Sequence, residues 1–206
     1  MIIILNKIPM KQYTLKLALI IFLFISYLGT SQFKAKMVFN TLSKERYFTI
    51  YSSENGYRYE FNENGQEGII IVKKDSKELI ILMPQQKMAM KSAAESPMSM
   101  GNDPLKSFEF YKQTENLTEV GKETINGVSC IKSILYNKEN PTQKMFTLWF
   151  SEKYNFPIKI VNHIDGIENS GMELKDIEPW TPNETSFIIP KDYQIIDTAT
   201  MMIPKQ

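Results

Sequence analysis

Hydrophobic and polar side chains alternate along most of the chain after Phe33. A period of two is the pattern of β-strands, because successive side chains point to opposite faces of a sheet. The alternating runs are short and rich in β-branched and aromatic residues, which also favours strands. They comprise residues 35–41, 46–51, 57–61, 68–72, 78–83, 87–91, 128–136, 144–151, 156–163 and 170–177.

Turn-forming residues separate these runs, among them Glu54-Asn-Gly, Asn62-Glu-Asn-Gly, Ile125-Asn-Gly and Asp165-Gly. Strands about ten residues apart with hairpin-type turns predict a mostly antiparallel sheet. Helical patterning is sparse, and one short helix is predicted around residues 104–111, where Pro104 suits a first turn. Residues 92–104 are small, polar and rich in turn formers, which predicts a mobile loop.

Residues 1–31 have the three parts of a secretory signal peptide. A lysine-bearing lead-in without acidic residues precedes the apolar run Leu17–Leu28, which is shorter than the roughly 20 residues of a membrane span. Small residues follow at 29–31, so cleavage is predicted near Ser31 and Gln32. We therefore expect a periplasmic or secreted protein whose residues 32–206 form a single domain. The alternative is an uncleaved membrane anchor.

Charge and cysteine content narrow the classes of function. The formal net charge is +1, and loss of the three lysines in residues 1–31 would bring it to −2 (1 − 3). This near-neutral balance gives no electrostatic signature of nucleic-acid binding. No cysteine lies directly after the apolar run, so the protein is not expected to be a lipoprotein itself. The one cysteine, Cys130, lies in an alternating run and is expected to be a buried, inert thiol.

Several motifs follow one another in a characteristic order. They are G-x-E-x-I-N-G at 121–127, W-x-S at 149–151, P-I-K-I at 157–160 and F-x-I-P-x-x-Y at 187–193, preceded by Leu79-Ile-Ile-Leu-Met-Pro84 and Met88-Ala-Met90. This order resembles the exported DUF4412-type proteins of the Bacteroidetes group, which look like relatives of the LolA/LolB lipoprotein-carrier superfamily. The resemblance covers nearly all of residues 32–206.

The resemblance implies a mainly β (α+β) fold, in which one antiparallel sheet forms an incomplete β-barrel over a hydrophobic cavity with short helices as a lid. It also implies a periplasmic carrier for a lipid, an acyl chain or another apolar ligand. The lid-pinning arginine of the carriers has no clear counterpart, because Arg46 and Arg58 both lie in strand-like runs. Alternation does not fix which face is inside, but the candidate cavity residues are Phe39, Phe48, Met83, Met88, Met90, Leu148 and Phe150.

Catalytic chemistry finds little support in the chain. The only histidine, His163, is best interpreted as a partly exposed strand residue. Neither a G-x-S-x-G elbow nor a phosphate-binding glycine loop nor a C-x-x-C spacing occurs. We therefore expect a protein that is not an enzyme, needs no cofactor and is monomeric. A second hypothesis is a cell-envelope structural or interaction domain, with an envelope protein as partner and a core filled by its own side chains.

Methionine is frequent, with twelve residues in the chain. There are two M-x-M pairs: Met88 with Met90 precedes the predicted loop, and Met98 with Met100 lies within it. Thioethers are soft ligands that suit Cu(I), so these four residues are a candidate metal site. The alternative is that Met83, Met88 and Met90 fill an apolar cavity, where flexible thioethers adapt to varied ligands.

Overall fold

A computed structural model describes residues 32–41, 44–73, 76, 78–93, 105–106, 109, 113, 116–164 and 167–197. Among these residues, twelve strands form one sheet. They are β1 (Phe33–Asn40), β2 (Glu45–Ser52), β3 (Gly56–Glu63), β4 (Gln66–Lys73), β5 (Glu78–Met83), β6 (Met88–Ala93), β7 (Asn116–Ile125), β8 (Val128–Tyr136), β9 (Lys144–Ser151), β10 (Phe156–Ile164), β11 (Ile167–Pro179) and β12 (Gln194–Asp197).

The strands follow the order β12-β6-β5-β4-β3-β2-β1-β11-β10-β9-β8-β7. Neighbouring strands are antiparallel, except that β12 runs parallel to β6. The pairing of β1 with β11 joins the two halves of the chain at the centre of the sheet. A 3-10 turn, Pro84–Gln86, connects β5 to β6. The mainly β, antiparallel fold predicted from the alternation is confirmed, and each of the ten predicted runs overlaps a strand.

The sequence signals for turns and for the short helix also agree with the structure. The Asn64-Gly65 and Asn126-Gly127 pairs both have positive φ, at 54° and 80° and at 49° and 78°. A two-residue hairpin turn needs this left-handed backbone at both positions, and asparagine followed by glycine adopts it most readily. Between β6 and β7, residues 105, 106 and 109 are helical, in agreement with the predicted short helix. The first two residues of the predicted loop, Ser92 and Ala93, instead belong to β6; residues 94–104 lie outside the described part.

Strong curvature of the sheet is evident from contacts between distant strands. Tyr57 on β3 and Phe156 on β10 lie four strand positions apart, yet their ring centroids are 5.7 Å apart. In a flat sheet with about 4.8 Å per strand, their backbones would be separated by roughly 19 Å. Phe33 bridges them from β1, with its ring 5.7 Å from that of Phe156. The sheet therefore curves into an open, incomplete barrel with these rings on its inner face, as predicted.

The inner face carries the main hydrophobic core. At one end of the barrel, which we call the packed end, the rings of Tyr154, Phe33, Phe156, Tyr57 and Tyr59 follow one another at centroid distances of 5.0 to 5.7 Å. Four of these five side chains are fully buried, and Tyr154 is partly exposed. Leu105, one of the helical residues between β6 and β7, is buried in the same core.

The outer face has its own, smaller apolar layer. Residues 180–193, which we call the strap, run from the end of β11 to β12. Phe187, Ile189 and Tyr193 of the strap pack against side chains of β4, β5 and β6 on this face. Arg58 fastens the strap, because its Nη1 donates a hydrogen bond of 2.8 Å to the carbonyl oxygen of Ser186. Both faces of the β4–β5 region are consequently covered.

Two strands were not predicted, and both are edges of the sheet. The side chains of β7 are almost all exposed, and Gly121 interrupts the strand with a φ of 144° beside a register shift. Strand β12 has four residues and leaves Ile195 exposed. Edge strands bury little side-chain surface, so their sequences lack the alternation that marks interior strands. A bulge and charged residues also protect an edge from pairing with other chains.

The predicted thiol burial is confirmed: Cys130 is 1 % exposed and unbridged. Burial raises the pKa of its thiol above the ordinary value, which keeps it in the unreactive protonated form. Residues 1–31, where the signal peptide is predicted, lie outside the described residues. Within the described part of the chain, no helix has the length and apolar character needed to cross a membrane.

The packed end should be the most sensitive part of the fold. Replacing Phe156 with alanine removes a fully buried ring that contacts both Phe33 and Tyr57. We expect the free energy of unfolding to fall by about 3–5 kcal/mol in urea denaturation. Val120→Ala, at an exposed position of β7, is the control and should change it by less than about 0.5 kcal/mol. Equal effects of the two substitutions would contradict the assignment of the packed end.

A second prediction concerns Glu123, whose carboxylate anchors β7. It accepts hydrogen bonds of 2.7 Å from Lys132 Nζ and from Trp149 Nε1. These bonds lower its pKa below the ordinary value of 4.5. The folded state therefore binds its proton less tightly than the unfolded state, and the stabilisation is complete above pH 4.5 but is lost as the pH falls through the lowered pKa.

Fluorescence of Trp149 measures this titration in a Trp180→Phe background, which leaves one tryptophan. We expect its emission to change only at a pH below the ordinary glutamate value. The same change should be absent when Glu123 is replaced by glutamine. An identical acid profile for both proteins would show that Glu123 does not control the environment of Trp149.

Candidate apolar ligand site

The burial of side chains on the inner face differs strongly between the two ends of the barrel. At the end opposite the packed end, three rings are only partly buried: Phe39, Phe48 and Phe61. The Phe39 and Phe48 rings lie 5.3 Å apart, and those of Phe48 and Phe61 lie 5.6 Å apart. We call these three residues the aromatic patch and this end of the barrel the open end. The patch continues the core but leaves part of its surface accessible.

Strand register establishes which predicted cavity residues share the inner face. Phe48 lies directly opposite Met37, a fully buried core residue. Phe39 lies opposite Met172 on the next strand. Met172 in turn lies opposite Ile160, and Ile160 lies opposite Leu148, so all four share one face. The structure therefore resolves the choice of face that alternation leaves open. Leu148 is buried at 3 % exposure and belongs to the packed core, not to the accessible surface.

The remaining predicted residues are distributed around this core. Phe150 is partly buried and packs against it from β9. Met90 shares the inner face, because it lies opposite Ile81, which lies opposite the core residue Ile70. The same register pairs Met83 with Met88 on this face. All three methionines are half-buried. Met98 and Met100 of the candidate copper site lie outside the described residues.

One member of the patch, Phe61, was missed by the sequence reasoning. Its ring covers Gly68 on the neighbouring strand, directly opposite in register. A Cβ at position 68 would overlap the Phe61 ring, so glycine is required for the ring to lie flat over β4. A lone glycine inside a strand signals such a close approach, and this signal could have identified the pair.

Charged residues lie beyond the aromatic patch at the open end. Arg46 is directly opposite Phe39 in the register of β1 and β2. Its Nε lies 3.1 Å from Glu63 Oε1, and Lys44 Nζ lies 2.9 Å from the same oxygen. The hydrogen bond from Lys44, together with the charge of Arg46, lowers the pKa of Glu63. We call Lys44, Arg46 and Glu63 the charged rim.

A groove of about 750 Å³ is lined mainly by residues whose side chains belong to the opposite face of the sheet, and Phe48, Phe61 and Gly68 also contribute to its lining. Its walls include Lys34, Lys36, Glu60, Glu67 and Glu178. Lys34 and Glu178 form an ion pair of 3.2 Å there. Charged walls make this groove less suitable for an apolar ligand than a surface of aromatic rings, because hydrocarbon offers these charges no polar partners in place of water. The aromatic patch on the inner face is the less charged of the two surfaces.

Among the described residues, histidine, cysteine and acidic side chains do not form a candidate catalytic or metal-binding cluster. His163 contacts Thr147 with 2.8 Å between Nε2 and Oγ1, as part of strand pairing between β9 and β10. In the part of the chain that the structure describes, no three histidine, cysteine or acidic side chains are arranged to hold a metal ion. What the geometry does assemble is an accessible apolar surface with a charged border.

A single curved, open sheet with an apolar inner face gives the protein the architecture of an open β-barrel, which is consistent with the LolA-like fold. The chain belongs to the DUF4412 family, described as a domain of unknown function, whose profile matches residues 32–155. No curated protein sequence matches the chain.

Solved structures resemble this fold at low sequence identity. An uncharacterised conserved protein from Thermus thermophilus has 13 % identity and a TM-score of 0.55, covering 87 % of this chain and 98 % of its own. A LolA superfamily protein from Nitrosomonas europaea has 9 % identity and a TM-score of 0.35, with coverage of 76 % and 89 %. The Pseudomonas aeruginosa MucA/MucB complex has 13 % identity and a TM-score of 0.42, with coverage of 80 % and 58 %. The Thermus protein thus shares the fold.

The pairing of Phe61 with Gly68 can be tested by a double-mutant cycle. Gly68→Ala should lower the free energy of unfolding by about 1–3 kcal/mol, because the new methyl group displaces the Phe61 ring. In a Phe61→Leu background, the same substitution should cost at least about 1 kcal/mol less, since the smaller side chain can move aside. Urea denaturation of the four proteins measures the coupling. Strictly additive effects would contradict the contact.

Proposed function

We propose that the protein is a non-catalytic binding or carrier protein for a lipid, an acyl chain or another apolar ligand. The observation that carries this proposal is the partly exposed aromatic patch on the inner face of the curved sheet. The patch adjoins a packed core, so a ligand bound there would extend that core. The strap already covers apolar residues of the outer face, which leaves the inner face as the apolar surface open to a ligand.

The chemistry of the patch suits a chain of methylene groups. Burial of hydrocarbon contributes about 0.8 kcal/mol per methylene and requires no precisely placed polar partners. Edge-to-face rings such as Phe39 and Phe48, inclined at 73°, form a cleft between them instead of a flat surface. The half-buried methionines at 83, 88 and 90 add flexible thioethers to the same face. Such side chains adapt their rotamers to ligands of different shape.

The proposal includes export of the protein from the cytoplasm. Residues 1–31 have the pattern of a cleaved signal peptide, which would place the remaining domain in the periplasm or outside the cell. The packing of the described residues suits such a location, because the domain is held together by two apolar layers and its single thiol is buried. A released, monomeric domain can diffuse between membranes with its ligand shielded.

The second candidate is a structural or interaction domain of the cell envelope. The specific observation in its favour is the packed end, where side chains such as Phe33 and Phe156 fill the inner face completely. On this view the patch would be a contact surface for an envelope protein. Copper binding by Met88, Met90, Met98 and Met100 stays a prediction from the sequence.

Binding of an uncharged fluorescent probe, N-phenyl-1-naphthylamine, tests the proposal on the full chain. We expect saturable binding with enhanced emission, and Phe48→Ala should weaken it by about tenfold, because loss of one buried ring contact costs at least about 1.4 kcal/mol. Tyr47→Ala is the matched control, since Tyr47 is the adjacent residue, is exposed and faces the outer groove.

Phe39→Ala provides a second variant in case Phe48→Ala lowers stability, and thermal denaturation identifies any unfolded protein. The wild-type protein should also release an apolar molecule on solvent extraction after native purification. Absence of probe binding to the wild-type protein, or equal loss with Tyr47→Ala and Phe48→Ala, would refute the proposed function.

A further inference from the structure

The aromatic patch and the charged rim are successive layers on the inner face. Phe48 and Phe61 face each other across β2 and β3, and Arg46 and Glu63 are the next residues on the same face toward the open end. Two residues along a strand span about 6.8 Å. A ligand lying on the patch and leaving through the open end would therefore place its terminal group beside Arg46.

The charge of the rim is not balanced by its own residues. Lys44 and Arg46 both pair with Glu63, so the three residues together carry one positive charge. Arg46 uses only Nε in this contact, and within the described part of the chain its two terminal nitrogens have no partner. The guanidinium group thus retains donors in the fork geometry that matches a carboxylate.

Hydrogen bonds between Thr41 and Lys44, which lie at the facing ends of β1 and β2, hold these cations in place. Thr41 Oγ1 donates a hydrogen bond of 2.8 Å to the carbonyl oxygen of Lys44. The backbone nitrogen of Lys44 returns a hydrogen bond of 3.2 Å to the same hydroxyl group. The backbone that carries Lys44 and leads into Arg46 is consequently fixed relative to the patch.

We propose that the ligand is a long-chain carboxylate, with its hydrocarbon chain on the aromatic patch and its carboxylate bound by Arg46 and Lys44. This inference rests on the proposed function and specifies its ligand class. A carboxylate carries one negative charge and brings the rim to neutrality. A phosphate monoester carries about −1.5 to −2 at neutral pH, which would leave the rim with an excess of negative charge.

A second group of two lysines around one carboxylate provides a matched comparison. Lys73 and Lys91 both pair with Glu78, at 3.8 and 2.9 Å. Glu78 and Lys73 lie opposite each other near the packed end, next to the pair of Ile71 and Ile80 on the outer face. This group has the same formal charge as the rim but no aromatic patch beside it.

Calorimetric titration of the full chain with laurate and with 1-dodecanol tests the proposal, since the two probes have equal chain length and differ in the charged group. We expect Arg46→Gln to weaken laurate binding by about tenfold and to change dodecanol binding by less than about twofold. Lys44→Gln should weaken laurate binding in the same direction. Lys73→Gln is the control and should change neither affinity.

Glu63→Gln supplies a gain of function that a misfolded variant cannot mimic. It removes the carboxylate that competes with the ligand, so laurate should bind more tightly by about threefold or more, by the magnitude of an exposed ion pair. Unchanged or weaker laurate binding by this variant would count against the inference.

The possible results separate the ligand class from the general function. If laurate and dodecanol bind equally well and neither responds to Arg46→Gln, the carboxylate inference is overturned while the proposed apolar binding stands. If 1-lauroyl lysophosphatidate binds through Arg46 and laurate does not, the head group is a phosphate and the inference is likewise overturned. If no probe binds, the proposed function itself fails.

Discussion

The contact of Tyr57 with Phe156 across four strand positions is the constraint on which the rest of the structure depends. These rings can meet only if the sheet curves, and the curvature gives an inner face with limited volume. Large aromatic side chains fill that volume at the packed end. At the open end the side chains cover one another less completely, so Phe39, Phe48 and Phe61 are partly exposed. The exposed aromatic patch is thus a direct result of filling a curved sheet from one end.

Two of the runs assigned to the alternating pattern, 68–72 and 78–83, are largely apolar at consecutive positions, and coverage of the outer face explains why. Residues 69–72 and 79–82 are continuous apolar runs, as expected for strands that are buried on both faces. Ile70 and Val72 belong to the inner core, whereas Ile71 packs with Ile80 beneath the strap. The runs therefore predict a covering element on the outer face, although nothing in them identifies residues 180–193 as that element.

The interior strands and the Asn-Gly turns could be predicted because they depend on local alternation and on backbone preferences of single residues. The edges β7 and β12 could not, since they bury almost no side chains. The candidate site could be predicted only in part. Phe39 and Phe48 were predicted from alternation, but the Phe61 and Gly68 pair and the ion pair of Arg46 with Glu63 depend on register between strands. Register is determined by tertiary packing, which no single segment of sequence records.

The charged rim also determines how the site would respond to pH. Glu63 keeps a lowered pKa because Lys44 donates a hydrogen bond to it and Arg46 adds its charge. Its carboxylate is therefore ionised at and above the ordinary glutamate value of 4.5, and the charge of the rim is constant between mildly acidic and neutral conditions. In that range only the ligand can change its charge. A fatty carboxylate would lose its attraction to Arg46 when protonated, so acid would favour release even though the aromatic patch is unchanged.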